Sequence, residues 1–517
     1  MFKLELIYDL PPLVFPKYQK VQMRILLLLV VAILGLTACQ EKQSELVWNE
    51  SFYLIGSQSS PRAADLNGDG TLDIVMGAGR AETSATDDGV LAVDGATGKL
   101  LWKQKAPAQV VGSASFQDIN NDGTLDVFIG GRGSFLTALD GRTGNHLWEY
   151  RFDFENDPVL KYARFNFYNS VWIPDQTGDG KQELLTVNGG NWTAPANSTD
   201  GRMPGVLMLF DSQSGQILAA DTMPDGLESY MSPLCFEDPA NGDSKIVFGT
   251  GGETQSGSLY VCNLQDLLDQ DLTASRKVAS EEGHGFIAPP VLVDVNQDGT
   301  LDIVAISHAS TISAIDGKSY KQLWQQSFPG RESSNSFAVG HFTRKDQVEI
   351  LGIIDSGTWP IYSYAQQVIL DGATGATRYH DSLGCFVVSS PVVYDMDHDG
   401  FDEAILNIND WPCDATLNEE IMDPPGITFQ LVAIDFQSNK HRVIDQTKGF
   451  NNVFSSPWIG DLDQNSCLDI VYSSYNHPND LRKFLGMSLK RISTPIRIQQ
   501  PVKWGAYMGT QGDGTYR

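Results

Sequence analysis

One nine-residue acidic pattern returns in phase along the whole chain, and this recurrence limits the fold more than any other feature. Asp65-Leu-Asn-Gly-Asp-Gly-Thr-Leu-Asp73 recurs as Asp118-Ile-Asn-Asn-Asp-Gly-Thr-Leu-Asp126 and Asp294-Val-Asn-Gln-Asp-Gly-Thr-Leu-Asp302, with variants beginning at Asp175, Asp395 and Asp461. Two further copies, around Glu237 to Lys245 and His341 to Glu349, keep the phase but have lost the acidic pattern. A small element precedes each copy: Ser60-Pro61, Ser113-Ala114, Ser170-Val171, Ser232-Pro233, Pro289-Pro290, Ser336-Phe337, Ser390-Pro391 and Ser456-Pro457. In-phase copies roughly 50 to 65 residues apart fit one closed repeat body better than several unrelated domains.

Each unit reads as four strands. A short apolar stretch follows the Ser-Pro element, the acidic loop comes next, and a β-branched run such as Asp73-Ile-Val-Met-Gly77 follows it. The third strand ends in a glycine- and aspartate-rich turn, as in Leu91-Ala-Val-Asp-Gly-Ala-Thr-Gly98, and the fourth often carries tryptophan: Trp102, Trp148, Trp324. The expected fold is therefore all-β, a β-propeller of four-stranded blades, eight of them, with seven as the alternative. Its 49 glycines and low charged fraction of 19% suit many short strands joined by tight turns. The propeller is expected over 46–493. Two segments compete to close the ring: Leu46-Val-Trp48, which matches the strand ends at Trp102 and Trp148, and the apolar tail 494–517.

The acidic pattern is a chemical device. Side-chain oxygens at positions one, three, five and nine, with a carbonyl at seven, can wrap a hard cation, and glycine at six permits the sharp turn. The expected calcium ligands are Asp65, Asn67, Asp69, Thr71 and Asp73; Asp118, Asn120, Asp122, Thr124 and Asp126; Asp175, Thr177, Asp179, Lys181 and Glu183; Asp294, Asn296, Asp298, Thr300 and Asp302; and Asp395, Asp397, Asp399, Phe401 and Glu403. The sixth copy keeps Asp461, Asp463, Asn465 and Asp469 but has Ser466 in place of glycine. About five structural Ca2+ ions are expected. A formal charge of −28 favours such cations and argues against a nucleic-acid partner.

These loops resemble the FG-GAP (integrin α-chain type) and VCBS repeats of cell-surface propellers over most of residues 46–480. EF-hands share the loop spacing, but their flanks are helical and these are β-rich. Ala92, Asp94, Gly98 and Trp102, and likewise Ala138, Asp140, Gly144 and Trp148, resemble the tryptophan-docking motif of quinoprotein propellers. That resemblance implies that the indoles pack between neighbouring blades.

Met23-Arg24 and the apolar run from Ile25 to Gly35 read as a signal-peptide core, too short for a confident span. Leu36-Thr-Ala-Cys39 resembles the bacterial lipobox, which implies a signal over 23–39, acylation of Cys39, a short linker at 40–45 and, with Gln40 following, outer-membrane sorting, periplasmic or surface-facing. Residues 1–22 read as an extension upstream of that signal.

In a propeller the acidic loops between strands A and B share one face with the C–D turns, and the B–C loops share the other with the D–A connections. Insertions concentrate on this second face, at 190–205, 355–366, 408–427 and 474–485, with the connection 149–169. Arg164, Tyr168, Trp192, Tyr230, His284, Arg331, Trp359, Trp411, Tyr475 and His477 are expected to rim it and to bind a glycan or an envelope or extracellular protein, the propeller itself being a monomer. No nucleophile elbow, zinc-type His-Glu-x-x-His or phosphate loop is present. Two enzyme alternatives rest on resemblance: rhamnogalacturonan lyases of the eight-bladed type, and quinoprotein dehydrogenases, whose vicinal cysteine pair this chain lacks. Among the cysteines, Cys385 and Cys413 flank the acidic loop of the seventh blade symmetrically about Asp399 and are expected to form the one intrachain disulfide, with Cys235 and Cys262 on strands A and C, too far apart to pair.

Overall fold

The structure is a computed structural model and describes residues 44–191, 194, 198–239, 241–359, 361–411, 426–476 and 484–517. Eight antiparallel sheets follow one another in chain order, each pairing its strands as A-B-C-D. In blade 1 these are Arg62–Ala64, Asp73–Gly77, Thr86–Val93 and Leu100–Ala106. Strand A begins blades 2 to 8 at Ser115–Gln117, Val171–Ile173, Leu234–Glu237, Val291–Val293, Ala338–Gly340, Val392–Tyr394 and Trp458–Gly460. The short A strands lie at the axis and the amphipathic D strands outside; Leu100–Ala106 buries only Trp102 and Ala106. Among the described residues helix is nearly absent, limited to Leu264–Leu268 and two short 3-10 turns.

The N-terminal strand closes the ring. Glu45–Tyr53 pairs antiparallel with strand C of blade 8, Gly486–Arg497, opposing Trp48 to Arg491. The four docking tryptophans then have one geometry. Trp48, Trp102, Trp148 and Trp324 each donate from Nε1 to the C–D turn of the next blade, at Gly95, Gly141, Ser212 and Gly372, over 2.7 to 2.8 Å. The turn glycine Gly98 lies flat on the Trp48 ring, where an added Cβ would come within 2.8 Å of the indole. Only glycine combines that approach with its φ of +74°.

The Ser-Pro elements form a second inter-blade device near the axis. Backbone N–H groups donate to the neighbouring blade's side chain in sequence: Ser390 to Ser456, Ser456 to Ser60, Ser60 to Ser113, Ser113 to Asn169, and Asn169 to Ser232. This chain crosses the closure between blades 8 and 1. Each bond satisfies an amide at the entry of an inner strand, where a buried N–H without a partner is costly.

The tail after Arg497 does not form an outer strand but enters the axis. Trp504 bridges Val393 of blade 7, Ile459 of blade 8 donates to Gly505, and Leu292 of blade 5 donates to Gly514. Arg62 of blade 1 donates to the carbonyls of Tyr507 and Gly509, and Asn169 donates to Met508 Sδ. Trp504, Ala506 and Met508 are buried. The physical reason is that the Glu45–Tyr53 strand already satisfies the blade 8 edge, leaving the apolar tail to fill the channel.

One expectation about the loops changes. Residues 355–366 are largely a hairpin of strands Glu349–Thr358 and Ile361–Asp371, with Asp355 opposite Ala365 and Ser356 opposite Tyr364, because its alternating residues extend the ladder. Cys385 and Cys467 are both disulfide-bonded. Cys413, the expected partner of Cys385, lies outside the described residues, as does Cys39. Cys235 and Cys262 are free, and Ile246 of the intervening strand pairs with both.

Candidate functional site

Two groups of residues carry chemistry, one on each face. On the first face, the acidic loops are shaped by their own amides. In the first loop Asp65 accepts from Gly68 and Gly70, Asn67 from Asp69, and Asp69 from Thr71. Gly70, Gly123, Gly180, Gly299 and Gly400 hold φ between +85° and +88° at position six. The ninth residue points inward: Asp73 accepts from Leu66, Asn67 and the C–D turn amide of Gly95, and Asp126 and Asp302 repeat this with Gly141 and Gly317. Burial pushes the carboxyls of Asp73 and Asp302 up to about 6 and that of Glu403 up to about 8.

The donor set fits a hard dication. Asp395, Asp397 and Asp399 bring carboxylate oxygens within 4.8 Å of one another, and Asp118 and Asp395 each bury an oxygen with no hydrogen-bond donor. Where the acidic pattern is degraded, a basic side chain stands in the loop. Lys245 lies 3.6 Å from Asp238 and Asp243, and Arg344 lies 2.6 Å from Asp346 and 3.4 Å from Asp371. Among the described residues, no such ion pair reaches the carboxylates of the loops at Asp65, Asp118 and Asp294.

The sixth loop also brings carboxylate oxygens of Asp461, Asp463 and Asp469 within 4.8 Å of one another, but an arginine stands beside them. Arg491 donates to Asp463 at 2.6 Å and to both oxygens of Asp469 at 3.1 Å, so a guanidinium supplies the cation beside Asp461 and Asn465. Ser466 takes the turn at φ +65°.

On the second face, six blades contribute a charged cluster around the axis. Arg202 lies 3.3 Å from Glu228 and donates to Tyr230 Oη at 2.6 Å, while Tyr168 and Tyr230 meet at 6.2 Å between rings. Arg132 pairs with Glu82 at 2.7 Å. Glu253 interacts electrostatically with His308, Arg202, Glu332 and Arg132. Burial holds Glu228 and Glu253 above the usual carboxylate range and Asp355 well above it. Glu332 is lowered: burial opposes this, but His308, the Trp359 amide and the Tyr362 hydroxyl outweigh it.

The remaining arc of this face is aromatic. Trp359 packs on Phe454 at 5.4 Å and Phe386 at 6.3 Å, and Phe386 meets Trp411 at 5.8 Å. Trp411 is 6% exposed and Tyr475 is 0%, so both are core residues rather than rim. Tyr475 stands edge-on to Phe484 at 4.7 Å. Arg164 is exposed, with its guanidinium over Phe165, and Arg331 bonds Ser356 Oγ. Trp192 and His477 lie outside the described residues. Sequence reasoning placed Tyr168, Tyr230 and His284 on this face but missed Arg132, Arg202, Glu228, Glu253, His308 and Glu332. Arg132 and His308 follow strands B of blades 2 and 5 by two residues each, a positional signal that aligning the repeats could have found.

The fold and the docked tryptophans define an eight-bladed β-propeller with quinoprotein-like repeats. A family model described as outer membrane protein assembly factor BamB matches residues 35–179. Among solved structures, the chain is similar to a europium-containing methanol dehydrogenase (TM-score 0.52, 11% identity, covering 87% of this chain and 93% of that one). It is also similar to quinohemoprotein alcohol dehydrogenases from Pseudomonas putida (0.54, 10%, 89% and 78%) and Comamonas testosteroni (0.50, 11%, 90% and 78%). No curated protein matches the chain in sequence.

The quinone cofactor implied by those dehydrogenases carries three carboxylates. In the axial cluster it would meet Glu228, Glu253, Glu332 and Asp355, three of them already raised by burial, with Arg132 and Arg202 both paired. The described residues do not fit it.

Proposed function

We propose that this protein is a calcium-stabilised binding or scaffolding propeller of the bacterial envelope, held to the outer membrane by an acylated Cys39. The observation that carries this reading is the asymmetry of the two ends. The C-terminal tail enters the axis along the inner strands, while the second face carries a charged arc and an aromatic arc. Such a surface suits a glycan or protein ligand rather than a small substrate drawn through the axis. The partial match to an outer-membrane assembly factor supports an envelope setting. FG-GAP/VCBS-like loops then serve to stiffen the opposite face.

A quinoprotein-type dehydrogenase is the second reading, favoured by the docked tryptophans. A glycan array and a crosslinked pull-down from envelope extracts test the first: a saturable ligand that competes with substitutions on the second face is expected. Cofactor-dependent dye reduction, or lyase activity on pectic fragments, would replace it with an enzymatic reading.

Cys39→Ser is expected to move the protein from the membrane to the soluble fraction, since acyl chains supply the attachment. Fractionation with lipid labelling checks this; membrane retention of the variant rejects the anchor.

A further inference from the structure

His284, His308 and Glu332 come from three different chain segments: the connection into blade 5, the B–C loop of blade 5, and the connection into blade 6. One ligand atom from each lies within 4.8 Å of the others. His308 is 1% exposed, and its backbone is held on both sides, its amide donating to Gly285 and its carbonyl accepting from Ser333.

His308 Nδ1 lies 3.3 Å from the Ser333 carbonyl, which can only accept, and 3.3 Å from Ser334 Oγ, which can donate or accept. Its Nε2 is buried without a hydrogen-bond partner among the described residues and faces Glu332 Oε2 at 3.2 Å. In the neutral tautomer with the proton on Nδ1, the Nε2 lone pair meets the carboxylate directly, an arrangement that a cation between them stabilises. His284 Nδ1 is buried and has no hydrogen-bond partner, and its ring centre lies 5.6 Å from that of His308.

We infer that His284, His308 and Glu332 form a binding site for a transition-metal dication on the second face, separate from the calcium loops. Two imidazoles and a carboxylate suit zinc and its neighbours rather than calcium, which takes oxygen ligands. With bonds of about 2.1 Å, donors around such an ion stand about 3.0 to 3.4 Å apart. The His308–Glu332 edge already has that length, and His284 closes the third corner by rotating inward. The Trp359 amide at 2.8 Å and the Tyr362 hydroxyl at 3.2 Å hold Glu332, as outer partners of a metal-binding carboxylate do. Three protein ligands leave a position open to water or to a carboxylate of a bound ligand.

The test uses the untagged full-length protein, stripped with chelator and kept in excess calcium so that the oxygen-ligand loops are saturated. Zinc alone is titrated calorimetrically. One high-affinity zinc per chain is expected, with affinity reduced by roughly 100-fold or more in His284→Ala, since even outer-shell changes cost about 10–100-fold. Zinc X-ray absorption of the parent protein is expected to report two imidazole ligands, and it decides the matter if the variants fail to fold. No tight zinc binding by the parent, unchanged affinity in a folded His284→Ala, or a zinc shell without imidazoles each overturns the site. An ion pair alone would give none of the expected results. Because no glycan, cofactor or envelope partner enters the measurement, its outcome is independent of the proposed binding function.

Discussion

Trp504→Ala is expected to destabilise the protein by about 3–5 kcal/mol, the range for removing a buried tryptophan. Trp504 is 1% exposed and packs in the core cluster that includes Val393, Phe337 and Val291, with Tyr516 at 6.4 Å. Its carbonyl also accepts from Val393 at 2.8 Å, so the tail is attached by backbone as well as side chain. Losing the indole leaves a cavity on the axis that the rigid ring of inner strands cannot collapse to fill. Deleting 499–517 should cost more, because it also strands the buried Arg62. Burial already lowers that guanidinium to about 10, and the Tyr507 and Gly509 carbonyls that accept from it lie in the deleted segment. Equilibrium urea unfolding measures both variants. A loss under about 1 kcal/mol in Trp504→Ala would mean that the tail only rests in the channel.

Calcium removal is expected to have an effect of comparable or larger size. Each site that binds only the native state adds about 2.7 kcal/mol at free calcium 100 times its Kd. EGTA should therefore lower the melting temperature strongly, and calcium but not magnesium should restore it, because Mg2+ demands a tighter octahedral shell. Asp298→Ala should lose one loop's share while the ring persists, and substitution at Asp463 should change the calcium response little, since Arg491 serves that loop. Elemental analysis showing no calcium in the purified protein, with a melting curve indifferent to EGTA, would remove the ions from the account.

The acidic loops, the docking tryptophans and the Ser-Pro elements were legible because each is a local signal repeated in phase. A turn with positive φ at its sixth residue favours glycine, so Gly70, Gly123, Gly180, Gly299 and Gly400 announce five blades by themselves, and Ser466 alone takes that turn in the sixth loop. Trp48 was readable for the same reason: it repeats the strand-end pattern of Trp102 and Trp148, and its indole bonds Gly95 as theirs bond Gly141 and Ser212.

What the amino-acid sequence determined alone is thus the repeating unit and the all-β propeller that follows from it, since strand period and turn chemistry act over a few residues. Tertiary structure decided whatever depends on residues from different blades meeting. The tail reads as a strand by its apolar pattern, and only the occupied edge of blade 8 sends it to the axis. Tyr475 and Trp411 read as exposed aromatics on insertions, and only packing against Phe484 and Phe386 buries them. Arg202 with Glu228 and His308 with Glu332 carry no shared local pattern, because separations of 26 and 24 residues become contacts of 3.3 and 3.2 Å only when the ring brings adjacent loops to one axis.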